Sequence, residues 1–429
     1  MPDGTPNNWL SLCPRPRPRH ADIKWDVFLS YRSANRQWVL ALYDTLVQAG
    51  FEVFLDQFAL VPGASLDDSL QENLEASSAG ILVWSEEAGD SKWVKREHTA
   101  MRVLTDRRED EDLPFMSVVA KLDSAELPLF LADSLWVDFA SYPEGPRGGE
   151  LLRLMHGIVG EALSEDAVRA IAQLDADTKD IVSTLRASVD NGFPDDIVEA
   201  ARTGGDVWNA TAMLASQAAE GLNALGKYDL VIEVVRLYKD RFDRSIRLQH
   251  MEALAYRRTN RYREALKVLG KLYADGHRDP ETLGLYGASL AKRYDESNDR
   301  AHLEKSQRMY ADAFVADPTD FYTGINAASK AALLGLGADV FQPIAAQVAD
   351  LPAIQKPDET DYWALATVGE AKLLALDIQG AVAAYAEAVA RHSEQTGSIE
   401  STRDQLKKLL AILNLPQSDK ERLLGSLSG

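Results

Sequence analysis

Apolar residues follow two different rhythms along this chain. Between residues 26 and 139, short apolar runs rich in β-branched and aromatic side chains alternate with amphipathic stretches of helical period. This is the pattern of a parallel sheet covered by helices on both faces. It predicts five strands, at residues 26–31, 51–56, 79–85, 115–120 and 135–139. The first connecting helix is expected over 35–49 and stops at Gly50, a residue free to take the left-handed conformation that ends helices. After the second strand, residues 57–63 are turn-rich yet apolar, which suggests a contact surface, and a second helix is expected over 65–77. From about residue 164 to 415 strand signals vanish and helix formers dominate, so the second region reads as all-α.

Spacing is the informative feature of that second region. Gly226-Lys227-Tyr228 returns in altered form as Asn260-Arg261-Tyr262, and the tyrosines lie 262 − 228 = 34 positions apart, the period of tetratricopeptide-type helix hairpins. Ala253, Tyr256, Ala265 and Leu269 take the small and large packing positions of such a hairpin, and Val231 and Val235 stand 34 positions before Ala265 and Leu269. Gly369, Ala381, Tyr385 and Ala388 repeat the arrangement, and another unit ends at Tyr310, Ala313 and Asp317-Pro318. The repeats are degenerate, so an irregular helical bundle stays open as the alternative. An array of this kind buries its apolar faces only on one another and offers a concave side for a protein or peptide partner. The expected division is a disordered Pro/Arg tail at 1–22, an α/β domain at 23–163, connecting helices at 164–206, helical repeats at 207–415 and a C-terminal tail at 416–429.

Charge narrows the choice of partners. Lys plus Arg number 46 against 66 Asp plus Glu, a net charge of -20, which repels polyphosphate backbones and argues against nucleic acid. The exception, residues 14–20, is basic but proline-spaced and reads as an extended mobile tail. Cys13 is the one cysteine, so an internal disulfide and a Cys-based zinc site are excluded, in keeping with a reducing cytoplasm. No run approaches the roughly 18 consecutive apolar residues of a membrane span, and no secretory pattern opens the chain, so a cytoplasmic protein away from membranes is expected. Neither common phosphate-cradling glycine signature occurs. His98, His156, His250 and His302 lack metal-ligand spacing, and no metal is expected. His98 adjoins Glu97 but points about 100° away on a helix, so it is given no role.

The strand Asp26-Val27-Phe28-Leu29-Ser30-Tyr31, and Phe51-Glu52-Val53-Phe54-Leu55-Asp56 continuing to Pro62-Gly63, resemble the first box and the second strand with its loop in the Toll/interleukin-1-receptor (TIR) family. The resemblance covers about residues 23 to 160. It implies a flavodoxin-like five-stranded parallel sheet of order 2-1-3-4-5, with ligands at the carboxyl ends of the strands. Fold alone does not decide function, because the family includes scaffolds as well as NAD⁺-cleaving enzymes.

Ser91-Lys92-Trp93-Val94-Lys95-Arg96-Glu97 resembles the enzymatic branch, whose helix carries a Trp and, four residues on, the catalytic Glu. Trp93 and Glu97 at i and i+4 share one helix face, so an aromatic surface and a carboxylate can border one cleft. The bond between nicotinamide and ribose already has a cationic leaving group, so the barrier lies in positive charge developing on the ribose. One carboxylate that binds the ribose hydroxyls can stabilise an oxocarbenium-like transition state. Glu97 is therefore the expected catalytic residue, the competing role being a solvated helix carboxylate paired with Lys95 or Arg102.

By the resemblance, Trp93, Tyr31 and Arg32 would border the substrate, and Asp56, Leu60 and Gly63 would sit across the cleft. Ser33 and Val61 depart from the pattern of several enzymatic members, and a further pocket tryptophan is not evident, Trp136 being expected in the core. The resemblance also implies NAD⁺ as substrate with no cofactor, and self-association through the loop around Leu60 to Ala64 that completes the site. Asp317 to Ala328 and Asp361 to Thr367 resemble the TRAF-binding helical segment fused to TIR domains in bacterial proteins, although Asp320 and Tyr322 would serve equally to cap and pack a helix. The expectation is an NAD⁺ nucleosidase, glycohydrolase or cyclase, with the repeats as sensor or assembly region and a bacterial immune role by analogy. Its rivals are a non-enzymatic TIR scaffold for signalling and an N-glycosidase acting on other nucleosides.

Overall fold

A computed structural model describes residues 9–55, 66–86, 92–109, 112, 114–355 and 361–427. The chain divides into two units, 1–261 and 262–429. In the first, β1 (Trp25–Ser30), β2 (Val53–Leu55), β3 (Ser77–Trp84), β4 (Met116–Lys121) and β5 (Trp136–Asp138) form one sheet of order β2-β1-β3-β4-β5. All neighbours run parallel, with Val27 opposite both Val53 and Ala79, Ile81 opposite Val118, and Ala120 opposite Val137. Helices cover both faces, which is why β1 is buried without a break from Asp26 to Ser30 rather than alternating.

The connecting helices are α1 (Arg36–Gln48), α2 (Leu66–Glu75), α3 (Lys92–Arg107) and α4 (Gly148–Val159). Gly50, with φ +94°, turns the chain after α1 in the conformation expected of it. On one face Phe28, Leu82, Trp84 and Val119 pack with Leu70 and Leu74 of α2 and with Val94, Met101 and Leu104 of α3.

Helices α5 (Glu165–Asp190), α6 (Pro194–Thr203), α7 (Met213–Ala224), α8 (Tyr228–Tyr238) and α9 (Ile246–Arg258) complete the first unit. Gly226 at φ +69° and Asn260 at φ +59° take the same left-handed turn 34 positions apart, so the sequence echo is an echo of backbone. On α1, Asp44 is buried and accepts from Ser245 Oγ at 2.5 Å and from the Ile246 N–H at 3.3 Å, at the start of α9. Burial pushes this carboxyl up to about 7, against the pull of those two donors and of Arg247.

The second unit holds α10 (Tyr262–Ala274), α11 (Pro280–Ser297), α12 (Arg300–Ala316), α13 (Phe321–Leu333), α14 (Ala338–Ala349), α15 (Pro352–Gln355), α16 (Tyr362–Leu374), α17 (Ile378–Arg391), α18 (Thr396–Ile412) and α19 (Gln417–Ser426). Aspartates open many of these helices by accepting from their orphan first-turn N–H groups: Asp279, Asp299, Asp320, Asp361 and Asp377. Asp320 is therefore a cap, and Tyr322 lies against Tyr310 with ring centroids 5.9 Å apart, the packing role open to both residues. Small residues let helices close up: a Cβ on Gly369 would come within 2.6 Å of the Tyr385 ring, and one on Gly287 within 2.9 Å of Tyr310.

Three expectations are corrected. Trp136 is 46% exposed rather than in the core, because β5 is an edge strand on which Val137 takes the inward position, and Lys121 covers the outer ring. The Pro/Arg segment is held rather than mobile. Arg17 donates to the carbonyls of Ser78 and Pro114, at the amino edge of the sheet, and Arg19 pairs with Asp26 at 3.4 Å. Residues 417–426 form α19 instead of a tail, since Leu423 and Leu427, an i,i+4 apolar pair, are fully buried. Among the described residues no helix is long and apolar enough to cross a membrane.

Candidate active site

In a sheet of this order, chain connections leave β1 and β3 in opposite directions, and the carboxyl ends of those strands border a crevice. The sequence places polar residues there, at or just past the carboxyl ends of β1 and β3. Ser30 closes β1, and Ser85 follows β3 and donates to Asn35 Oδ1 at 2.9 Å. Ser30, Asn35 and Ser85 are all buried.

Glu97 reaches this edge from α3. Its Oε2 accepts from Ser30 Oγ, a bond that ties the first strand to the helix after the third across 67 positions of sequence. The carboxylate lines a cleft of about 410 Å³ together with Phe28, Leu70 and Leu74 on the apolar side and Lys95 and Arg96 on the charged side. That volume and mixed lining are those of a small-molecule site.

Tyr31 and Arg32 follow Ser30 directly, so Arg32 leaves the sheet about 7 Å of extended chain from the residue that holds Glu97. Tyr31 is buried and Arg32 half-buried. Glu97, Tyr31 and Arg32 are thus brought to one edge. Trp93 lies on α3 one turn before Glu97, as the spacing required. Asp56, Leu60 and Gly63, with the rest of the loop to Ala64, lie outside the described residues.

His98, given no role from sequence, is buried on another side of α3. Its Nε2 lies 2.8 Å from Ser134 Oγ and its ring edge meets Phe130 at 5.8 Å. Burial and the nearby Arg102 lower its basicity, which suits a neutral packing residue. Sequence reasoning passed over Ser30, Asn35 and Ser85. The available signal was a hydroxyl at the last position of a strand that is apolar from Val27 to Leu29.

Comparisons with known proteins match two separate stretches of the chain. The family model for the TIR domain matches residues 27–152, and that for Tetratricopeptide Repeats-Sensor matches residues 227–334. Over 111 residues the chain is 33% identical to an NAD(+) hydrolase of Paracoccus denitrificans, covering 26% of this chain and 37% of that protein. Over 78 residues it is 29% identical to a probable 2′ cyclic ADP-D-ribose synthase of Brachypodium distachyon, covering 18% of this chain and 35% of the other. The chain thus spans little more than a third of the length of these curated relatives. A tetratricopeptide-repeat protein of Thermus thermophilus, a solved structure, aligns with 45% of this chain and 97% of its own at 18% identity and a TM-score of 0.36. The α/β region is a TIR domain, and the chain joins it to a region of tetratricopeptide sensor repeats.

Proposed function

We propose that the TIR domain cleaves the bond between nicotinamide and ribose in NAD⁺, with Glu97 as the catalytic carboxylate. The observation that carries this reading is the Glu97 carboxylate itself, held by a buried hydroxyl at the carboxyl edge of the sheet and lining a cleft. The two curated relatives, named as an NAD(+) hydrolase and a cyclic ADP-ribose synthase, support the substrate class.

In this mechanism the C–N bond breaks with its electron pair going to nicotinamide, which leaves neutral because the ring was cationic. Positive charge develops on the ribose C1′ and ring oxygen, and the fixed negative charge of Glu97 is worth more there, in a partly desolvated cleft, than it would be in water. Water then adds at C1′ and loses a proton to give ADP-ribose, or a group of the same nucleotide adds instead and closes a ring. Arg32 and Lys95 place positive charge for the diphosphate. By the family resemblance, Tyr31 and Trp93 are the aromatic residues assigned to border the substrate, Asp56, Leu60 and Gly63 are assigned to meet it from the other side, and a second TIR domain completes the site. The repeats act as the sensor that brings copies together or meets a protein partner.

The test is nicotinamide release from NAD⁺ by concentrated full-length protein under crowding. Glu97→Gln is expected to lose about 100- to 1,000-fold in rate, the scale of removing one preorganised electrostatic group, with its unfolding transition unchanged. Equal release by variant and wild type overturns the assignment of Glu97.

A further inference from the structure

We propose that residues 244–247 latch the first sensor repeat to α1 of the TIR domain, so that movement of the repeats reaches the substrate crevice through α1. Calling that crevice a substrate site rests on the NAD⁺-cleavage reading, whereas the latch rests on contacts inside residues 1–261. The sensor match begins at residue 227, so α8 and α9 form its first hairpin, and the connection between them meets the TIR domain residue by residue.

Every residue of α1 from Trp38 to Leu46 is buried. A helix buried all round needs cover on the side away from its sheet. Helices α7 and α9 supply that cover. A Cβ on Gly145 would lie 3.0 Å from Ala41 and 3.7 Å from Met213 of α7, which shows how closely the parts meet.

Polar contacts run through this apolar cover in sequence order. The Arg244 guanidinium donates to the Tyr43 hydroxyl and pairs with Glu52 at 3.6 Å. Ser245 Oγ donates to Asp44 Oδ2 at 2.5 Å and the Ile246 N–H to Oδ1 at 3.3 Å, so both oxygens are engaged across about 200 positions of sequence. The charge of buried Arg247 also reaches Asp44, and Arg247 is tied in turn to Glu220 of α7. Ser245 is the N-cap of α9 as well, accepting from the Leu248 N–H at 3.3 Å. One hydroxyl thus opens α9 and holds α1.

Apolar packing alone would bury α1 without a carboxylate. A buried carboxylate is costly unless its donors stay in place, and both donors to Asp44 come from the start of the second helix of the repeat. The Ser329 contact with Glu370 is of the same chemical kind but joins helices within the repeats. The contact at Asp44 joins the repeats to the domain that carries the cleft.

The other end of α1 lies at the crevice. Asn35, immediately before the helix, accepts from Ser85 just past β3, and Arg32 lies three residues earlier. Asp44 is 44 − 35 = 9 residues further on, about 13 Å along the helix. A helix packed on every side moves as a body, so displacement at Asp44 shifts Asn35.

The experiment uses full-length wild type, Ser245→Ala, Arg244→Glu, and Arg244→Glu combined with Glu52→Arg, each with a thermal unfolding curve. Arg244 and Glu52 are half-exposed, so reversing one sets like charges together without emptying the core, and reversing both restores the pair. Amide hydrogen exchange in peptides covering Tyr31 to Trp38 and Leu82 to Glu86 is expected to quicken about 10-fold in Ser245→Ala and Arg244→Glu, and to recover in the combined variant. Nicotinamide release from NAD⁺ should fall about 5- to 10-fold and recover in the same way, because the crevice is less well held.

Exchange that quickens only around residues 238–250, with wild-type release, overturns transmission through α1. So does faster release, which would make the contact a brake, or a combined variant that recovers neither readout. Equal quickening in peptides of α5 and α6, following the melting temperature, marks general destabilisation and overturns it too. If wild type releases no nicotinamide, the NAD⁺ reading falls while exchange at the crevice still decides the latch.

Discussion

Both units bury polar groups, and they use them differently. In the TIR domain Ser30, Asn35 and Ser85 gather at one edge of the sheet, where Glu97 turns toward a cleft. In residues 262–429 one group of buried polar side chains closes on itself. The Lys330 ammonium donates to Gln405 Oε1 at 3.4 Å, Gln405 Nε2 donates to Glu370 at 3.0 Å, and Ser329 donates to the same Glu370 oxygen. The difference separates two reasons to keep a polar group inside a protein. A group at an open edge borders the space a ligand would take, whereas a closed network joins helices, here α13, α16 and α18. Two buried ionisable groups, one in each unit, give that contrast a pH signature.

The larger effect is expected in the first unit, at Asp44. Burial raises its carboxyl to about 7, so between about pH 4 and 7 the folded chain holds a proton that the unfolded chain has released. The stability contributed by the neutral form is complete below about pH 4 and is lost as pH rises through about 7, to a ceiling of about 4 kcal/mol. Asp44→Asn, neutral throughout, should remove that slope. Urea unfolding at a series of pH values, resolved by hydrogen exchange of peptides from α1 and α9, checks it, and a slope retained in the variant assigns the effect elsewhere.

Lys330 should behave in the opposite sense. Burial pushes its ammonium down to about 8 against the attraction of Glu370, so between about pH 8 and 10.5 the unfolded chain carries the extra proton. Stability of this unit should rise with pH over that window, by about 3 kcal/mol at most. Lys330→Met should flatten the rise, read by the same unfolding series in peptides from α13 and α16. Slopes of equal sign in the two units would break the comparison.

How much was legible beforehand follows the same division. The strands could be read because burial on both faces keeps β1 largely apolar, their order came from the family resemblance, and Gly50 and Tyr262 mark element boundaries that local chemistry sets. Glu97 was singled out by the resemblance of its helix to the enzymatic branch of the family, since the spacing to Trp93 alone is a pattern many helices carry. Ser30, which donates to Glu97, could not be singled out, since a hydrogen bond across 67 positions leaves no local pattern. Trp136 was misplaced because strand alternation gives two faces without saying which faces out. The Pro/Arg segment was misread because composition reports charge and backbone stiffness, while its fixation depends on carbonyls of Ser78 and Pro114 far along the chain.

The smallest expected effect tests how the two units pack. Gly80 in β3 and Gly369 in α16 both face a neighbour closer than a methyl group allows, 2.9 Å to the Met101 side chain and 2.6 Å to the Tyr385 ring. Met101 is buried too, and the Phe115 ring stands 3.1 Å from the same carbon, but the methionine has rotatable bonds with which to yield, so Gly80→Ala should cost about 1 kcal/mol. The Tyr385 ring is fully buried among packed helices and has nowhere to move. Gly369→Ala should therefore cost about 1–2 kcal/mol, the overpacking penalty less what alanine returns in helix propensity. At Gly397, in α18, nothing lies within 4 Å of the added carbon, and the same change should raise stability by up to about 1 kcal/mol. Urea midpoints of the three variants should fall in the order Gly397→Ala, Gly80→Ala, Gly369→Ala. A Gly369→Ala midpoint at or above that of Gly80→Ala would mean that the aromatic packing of the repeats yields as readily as a methionine does.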